Sequence, residues 1–264
     1  MSAFYREAGA GPGVVCVHSN ASSSAQWRGL MDLLAPSFHV LAPDSYGAGK
    51  SPPWPTERKI ALRDEVALLE PVFARAGDPF SLVGHSYGGA VCLVAALAQP
   101  QRIKAMALYE PTLFALVEQQ SPSPNDVDGI REAVVASLAA LNAGDSAAAA
   151  RAFIDFWMAP GAFDRMPERV QAATIDAVKN IQGWKDALFG EPTRLSAFAQ
   201  LDIPVLLMVG TKSPLSSRAV AERLAGALPK VEVAEMDGLG HMGPVTNPEP
   251  VNRRVSDFLS RHAQ

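Results

Sequence analysis

The feature of the sequence that most limits its fold is a series of six short apolar runs. Most of them carry Val, Ile, Leu or Ala at consecutive positions instead of alternating apolar and polar residues. A continuous apolar run suits a strand that is covered on both faces, as in a parallel sheet. We therefore predict buried strands at residues 14–18, 39–43, 80–84, 103–109, 203–209 and 231–235.

Amphipathic stretches with helical periodicity separate these runs. In residues 57–77, apolar residues recur on one helical face, and we expect Pro71 to kink or interrupt this helix. The final helix is predicted to begin with Asn247 as its N-cap and Pro248 as its first helical residue. Alternating strands and helices predict a doubly wound, mostly parallel α/β fold.

One region breaks the alternation, because residues 112–196 contain no convincing strand and are rich in alanine. Helical periodicity predicts helices there at residues 130–141, 147–158 and 167–188. We predict a helical cap insertion at 112–196 on a core domain made of residues 1–111 and 197–264. Aromatic and Met side chains are candidates for lining a substrate pocket, namely Phe153, Trp157, Trp184 and Met242. The alternative is that such residues only pack the insertion against the core domain.

Composition and charge argue against several function classes. The chain has 264 residues, 48% of them hydrophobic and 19% charged, with a net charge of −4. Clustered Lys and Arg, the footprint of a nucleic-acid partner, are missing. The sequence also predicts no signal peptide and no membrane association, since no apolar run has the length of a bilayer-spanning helix. A cytoplasmic protein is expected, and a homodimer is compatible with a sequence that does not determine the oligomeric state.

Two cysteines and scattered histidines carry little chemistry of their own. Cys16 lies in a predicted strand and Cys92 in a predicted helix, so both are predicted to be buried free thiols. No cluster of His, Cys, Asp or Glu has metal-ligand spacing, and we expect neither a metal nor an organic cofactor.

A strong chemical signal is Gly84-His85-Ser86-Tyr87-Gly88, a G-x-S-x-G motif between a predicted strand and a predicted helix. In this context the glycines allow a sharp, strained turn that exposes the serine hydroxyl at the carboxyl end of the sheet. Ser86 is therefore the candidate nucleophile, and the backbone N–H of Tyr87 is a candidate oxyanion donor at the helix start. The alternative is an ordinary glycine-rich turn between a strand and a helix.

The candidate base for this serine is His241. It follows the last predicted strand in Asp237-Gly-Leu-Gly-His241, on a loop expected at the same sheet edge as Ser86. The other four histidines are less well placed. The alternative is that His241 is a structural histidine of its loop.

Four separated segments resemble the α/β-hydrolase family. They are the turn around Ser86, the Gly-x-Gly-His at residues 238–241, the early His18-Ser-Asn, and a stretch at residues 43–51 similar to P-D-x-x-G-x-G-x-S. The resemblance covers about residues 5–111 and 200–262. It implies that the N–H of Asn20 is the second oxyanion donor, with Ser19 in place of the family's usual glycine.

The third triad member departs from the family pattern. Ser213 stands where the family usually has an aspartate, and a serine cannot stabilise an imidazolium as a carboxylate does. Some relatives take the acid from the end of the strand after the elbow helix, which here places Glu110 in that role. Glu110 is our assignment; a glutamate that only caps a helix is the alternative, and Asp237 is the next candidate for the acid.

The resemblance implies a serine hydrolase that cleaves carboxylic esters of small, fairly apolar molecules through an acyl-enzyme. The same triad serves C–C bond hydrolases, lactonases, thioesterases and perhydrolases. A non-catalytic small-molecule receptor on this fold also remains open. Serine at position 86 argues against dehalogenases and epoxide hydrolases, which need an aspartate there.

Overall fold

The computed structural model describes residues 2–262. Within this range the chain forms a seven-stranded sheet. The strands are β1 (Tyr5–Ala8), β2 (Gly13–Val17), β3 (His39–Pro43), β4 (Phe80–His85), β5 (Ile103–Tyr109), β6 (Val205–Gly210) and β7 (Val231–Met236). All six predicted strands are present, with bounds that differ from the prediction by two residues at most.

The strand order is β1-β3-β2-β4-β5-β6-β7. Strand β1 pairs antiparallel with β3, and all the other pairs are parallel. After β2, the chain forms β3 on one side of β2 and then crosses back to form β4 on the other side. The crevice at the carboxyl ends of β2 and β4 is therefore the place where an open α/β sheet usually binds ligands.

Helices cover both faces of the sheet. They are α1 (Arg28–Leu34), α2 (Leu62–Ala76), α3 (Tyr87–Ala98), α4 (Ala115–Glu118), α5 (Asp128–Asn142), α6 (Ser146–Trp157), α7 (Glu168–Ala177), α8 (Ile181–Phe189), α9 (Leu195–Phe198), α10 (Leu215–Ala227), α11 (Gly243–Thr246) and α12 (Pro248–Arg261). The predicted α/β fold class, a mostly parallel sheet flanked by helices, is confirmed. No helix among residues 2–262 has the length and apolar character needed to span a bilayer.

Two hydrophobic cores explain why the strands are apolar at consecutive positions. In β2, Val15 and Val17 pack into the core beneath α2, α3 and α10, whereas Val14 and Cys16 pack into the core beneath α1 and α12. Every residue of β2 and β4 is buried. Cys16 and Cys92 are both buried free thiols, as predicted.

The segment between β5 and β6 is helical, and α4 to α9 lie within it. The predicted helices at 130–141 and 147–158 correspond to α5 and α6. The stretch predicted at 167–188 is divided into α7 and α8 by a short 3-10 turn at Val178–Asn180. Whether this segment is a domain separate from the core stays a prediction.

Three local predictions need correction. Pro71 does not interrupt α2, which runs unbroken through it; the carbonyl of Ala67, which loses its partner, lies on the exposed face where water can bind it. The helix also begins later than expected, at Leu62, where Asp64 Oδ2 accepts a hydrogen bond from the N–H of Ala61 at 2.8 Å. Asn247 precedes α12 as predicted, but its side chain makes no capping hydrogen bond.

Candidate active site

Ser86 lies in a turn that only glycines on either side permit. Its backbone has φ 55° and ψ −117°, a conformation that is strained for any residue except glycine. A Cβ on Gly84 would lie 2.7 Å from Gly89 Cα, and one on Gly88 would lie 2.2 Å from the carbonyl oxygen of Val17. Tight packing between strand and helix therefore fixes the serine at the end of β4.

His241 connects Ser86 to a carboxylate. Its Nε2 lies 2.9 Å from Ser86 Oγ, and its Nδ1 lies 2.7 Å from Glu110 Oε2. All three side chains are buried, with His241 1% and Glu110 0% exposed. The geometry fits Nδ1–H donating to the carboxylate and Ser86 O–H donating to Nε2, the arrangement of a Ser-His-acid triad.

Glu110 accepts three hydrogen bonds at the end of β5. Besides His241, the N–H of Gly210 donates to Oε1 at 2.7 Å and the hydroxyl of Ser213 donates to Oε1 at 2.5 Å. Ser213, at the position where a carboxylate was expected, thus holds the carboxylate that comes from another strand. The alternative acid Asp237 is exposed and contacts Thr211 Oγ1 at 3.4 Å.

Sheet register brings the serine and the glutamate to adjacent positions. The N–H of Ser86 donates to the carbonyl of Tyr109 at 3.0 Å, and the N–H of Glu110 donates to the carbonyl of Met208 at 3.1 Å. The N–H of Thr112 in turn donates to the carbonyl of Ser86 at 3.3 Å. The hydrogen-bond ladder therefore continues past the ends of β4 and β5, and it positions both Ser86 and Glu110.

A buried hydrogen-bonded network holds the loop of His241. His85 Nε2 lies 2.9 Å from the carbonyl oxygen of His241, and His85 Nδ1 lies 3.1 Å from the amide Nε2 of Gln26. Gln26 Oε1 accepts from both the N–H and the hydroxyl of Ser19. Burial and the nearby His241 hold the pKa of His85 well below its ordinary value, so this ring is neutral, with the proton on Nε2.

Both residues predicted as oxyanion donors lie beside the serine. Tyr87 is the first residue of α3, where a backbone N–H has no partner within the helix. Asn20 follows β2 and lines the same cavity as Ser86. His18 holds this loop in place, since its Nδ1 lies 2.7 Å from the carbonyl oxygen of Ser19 and its Nε2 accepts from the N–H of Ser45 at 3.1 Å.

We call the small space that Ser86 lines together with residues of the helical segment the catalytic cavity. Its volume is about 20 Å³, room for roughly one water molecule. It is lined by Asn20, Ser86, Thr112, Phe114, Ile130, Val134, Phe153, Trp157, Ile181, Trp184, Lys185, Leu188 and Phe189. Three of the four predicted substrate-binding residues therefore face Ser86. Met242 is not part of the lining; it is half-buried against the larger hydrophobic core, because it follows His241 directly and starts the turn into α11.

Trp157 stacks directly on the imidazole of His241. The ring centroids are 3.9 Å apart and the planes are inclined by 26°. On another side, the ring of His85 lies 5.3 Å away. A helix of the segment between β5 and β6 thus provides one wall around the base of the triad.

Three residues near the site carry polar groups that sequence reasoning missed. The hydroxyl of Thr112, 1% exposed and part of the cavity lining, makes no hydrogen bond within residues 2–262. Lys185 is the one charged side chain among the lining residues. Glu65 is buried on α2, where it accepts from the Tyr87 hydroxyl at 3.1 Å, and burial raises its pKa to about 7. Of these three residues, only Thr112 could have been found from the sequence, because it lies two positions after the candidate acid Glu110.

The described part of the chain brings no three His, Cys, Asp or Glu side chains together in a way that could hold a metal ion.

Comparison with known proteins shows one fold and several activities. Residues 12–248 match the family model described as the alpha/beta hydrolase fold. The lipase LipV of Mycobacterium tuberculosis is 30% identical, with 90% of this chain and 89% of the lipase covered. A haloalkane dehalogenase of Bradyrhizobium diazoefficiens is 25% identical, with 97% and 90% covered. The crystal structure of esterase RhEst1 from Rhodococcus sp. ECU1013 aligns with a TM-score of 0.78 at 22% identity and covers 99% of this chain and 100% of the esterase.

Proposed function

Because this chain belongs to the alpha/beta hydrolase fold family, we propose that it is a serine hydrolase that cleaves carboxylic esters of small, fairly apolar molecules. The observation that carries the proposal is the hydrogen-bonded line from Ser86 Oγ through His241 to Glu110 Oε2, at 2.9 and 2.7 Å. Its order and distances fit an activated serine nucleophile.

In the first half-reaction Ser86 Oγ forms a bond to the ester carbonyl carbon while its proton moves to His241 Nε2. The carbonyl oxygen becomes negative and accepts hydrogen bonds from the N–H groups of Tyr87 and Asn20. As the intermediate collapses, the bond between the carbonyl carbon and the alcohol oxygen breaks, and His241 Nε2–H protonates that oxygen. Glu110 accepts the Nδ1–H bond throughout and stabilises the imidazolium.

The second half-reaction repeats these steps with water. His241 Nε2 removes a proton from water, whose oxygen attacks the acyl carbon of the Ser86 ester. The same two N–H groups stabilise the second oxyanion, and removal of one such donor typically costs about a hundred- to a thousandfold in kcat. Ser86 leaves with the proton from His241, and the carboxylic acid is released.

A serine nucleophile at position 86 fits ester cleavage better than it fits dehalogenation, the activity for which one relative is named. A serine oxygen that displaced a halide would form an ether, and water does not hydrolyse an ether under these conditions. A serine that attacks an acyl carbon forms an ester, which water does hydrolyse. The relative that is 30% identical is named as a lipase, a class of enzyme that cleaves ester bonds.

The apolar character of the catalytic cavity supports a small, fairly apolar substrate. Aromatic rings contribute much of its lining, and the cavity is closed to about 20 Å³. A substrate must therefore displace lining side chains or helices of the segment between β5 and β6 before it reaches Ser86. Cytoplasmic location and a homodimeric state stay predictions from the sequence.

The test is turnover of 4-nitrophenyl esters of increasing acyl length, together with labelling by a fluorophosphonate. We expect hydrolysis and stoichiometric labelling by the native protein, and neither by Ser86→Ala. Ser81→Ala, a serine in β4 away from the turn, is the matched control and should be labelled like the native protein. A native protein that binds these esters without cleaving them would be a receptor, and the proposal would be wrong.

A further inference from the structure

The catalytic cavity contains a cation that the proposed reaction does not use. Lys185 lies on α8, next to Trp184, and is the one charged residue among the cavity's lining. Its side chain is half-buried. Apart from Asn20, Ser86 and Thr112, the remaining lining is apolar. Because Lys185 lines this largely apolar cavity, a molecule bound there lies close to a positive charge, which favours an anionic group on that molecule.

Lys185 also lines a larger opening on the outside of the protein, which we call the basic cleft. The cleft has a volume of about 540 Å³, and its charged lining residues are Arg58, Lys59, Arg63, Lys185, Asp64 and Asp186. Lys185 and Phe189 are shared between the basic cleft and the catalytic cavity. These two side chains therefore lie between the basic cleft and the catalytic cavity.

Ion pairs within the cleft leave Lys185 without an acidic partner. Arg58 pairs with Asp64 at 2.9 Å, and Lys59 pairs with Asp186 at 3.7 Å. No carboxylate among residues 2–262 lies within ion-pair distance of Lys185, which uses neither of these two acids. The cleft therefore has an excess of positive charge, which attracts an anion and raises its local concentration.

We propose that Lys185 binds a carboxylate of the substrate, so that the molecules cleaved at Ser86 are esters that carry a second, negatively charged group. This inference rests on the proposed ester hydrolysis and adds the substrate class. The ester group lies at Ser86, the apolar lining of the cavity contacts the carbon chain, and the carboxylate lies at the mouth beside Lys185. The unpaired hydroxyl of Thr112 provides a further hydrogen bond at the Ser86 end.

The kinetic test compares esters of nearly equal shape. Monoethyl succinate has the shape of ethyl 4-methylpentanoate, with a carboxylate in place of an isopropyl group, and monoethyl adipate is similarly matched by ethyl 6-methylheptanoate. The variant is Lys185→Gln, and Lys185→Arg tests rescue by a second cation. The control is Lys230→Gln, which removes the same charge at a lysine paired with Asp202 at 2.8 Å, outside the lining of both openings.

We expect Lys185→Gln to lower kcat/KM for the carboxylate esters about ten- to a hundredfold, chiefly through KM. The kcat/KM of the neutral esters should change less than about threefold, because only the carboxylate esters lose a hydrogen bond between charged groups. Lys185→Arg should retain most of the preference, and Lys230→Gln should retain all of it. An equal effect of Lys185→Gln on both ester classes would overturn the carboxylate site while ester hydrolysis at Ser86 stood.

A binding measurement separates this inference from the proposed function. Calorimetry with the Ser86→Ala variant and monoethyl adipate measures affinity without turnover. Affinity that Lys185→Gln weakens at least about tenfold supports the carboxylate site even if the native protein hydrolyses nothing, an outcome that would refute the proposed function alone. Affinity that is absent, or that is independent of Lys185, overturns the carboxylate site.

Discussion

Replacement of Glu110 by glutamine tests the triad through the hydrogen bonds that its carboxylate accepts. Oε1 receives the N–H of Gly210 and the hydroxyl of Ser213, and Oε2 receives His241 Nδ1–H. A glutamine amide has one oxygen that accepts and one nitrogen that only donates. It cannot satisfy three donors that approach from two sides.

The structure indicates which hydrogen-bond donor loses its acceptor in the Glu110→Gln variant. If the amide oxygen faced His241, the amide nitrogen would meet both Gly210 N–H and the Ser213 hydroxyl, and a buried donor left unpaired costs about 1–3 kcal/mol. The opposite orientation leaves only His241 to adapt. Its proton then moves from Nδ1 to Nε2, and Nε2 can no longer accept the proton of Ser86.

The expected loss is that of a triad with the wrong imidazole tautomer. The corresponding carboxylate-to-amide change in a Ser-His-Asp protease lowers kcat by about 10⁴, equivalent to about 5.5 kcal/mol in the barrier. We expect a similar loss for Glu110→Gln. Ser213→Ala removes one donor and leaves Glu110 bound to Gly210 and His241, so its kcat should fall by about tenfold or less.

The assay is steady-state hydrolysis of 4-nitrophenyl acetate, with thermal unfolding followed by circular dichroism to show that each variant folds. The double variant Glu110→Gln/Ser213→Ala gives a further check, because without the Ser213 hydroxyl the amide oxygen can turn toward His241 at lower cost. Its kcat should equal or exceed that of Glu110→Gln. A kcat for folded Glu110→Gln within tenfold of the native value, or a greater loss in Asp237→Asn, would refute Glu110 as the triad acid.

Two other predictions follow from buried contacts around the site. Glu65 has a pKa of about 7 in the folded protein, raised from 4.5 by burial, so the folded state keeps a proton that the unfolded chain releases, and the contribution of Glu65 to the free energy of unfolding should fall by about 3 kcal/mol as pH rises from 4.5 to 7. Urea unfolding at pH 5 and pH 8 should give pH dependences that differ between the native protein and Glu65→Gln by about this amount, because the buried neutral His85 contributes equally to both; the same pH dependence in both would contradict the prediction. Trp157→Leu removes the aromatic face 3.9 Å from His241, and because a desolvated ring stabilises a neighbouring cation by about 2 kcal/mol, kcat should fall about thirtyfold. Trp157→Phe keeps a ring and should lose less of kcat than Trp157→Leu; equal losses in the two variants would contradict a stabilising role of the ring.

Local sequence patterns were enough to predict the strands and the turn of Ser86. Apolar residues at consecutive positions require cover on both faces, and the two cores on either side of β2 provide it. Likewise, the turn needs Gly84 because the strand and the helix that it joins pack closely, and a Cβ there would meet Gly89, five positions along the chain. Such features depend on neighbours along the chain, so the sequence displays them directly.

Other features depend on residues that are distant in sequence, and only the tertiary structure decides them. Glu110 is oriented by Gly210 and Ser213, 100 and 103 positions later, through the register of β5 against β6. The stacking of Trp157 on His241 and the position of Lys185 between cavity and cleft depend on how helices of the segment between β5 and β6 lie over the sheet. Periodicity fixes which face of a helix is apolar, whereas the side chain that each residue meets depends on packing between elements, which no local pattern specifies.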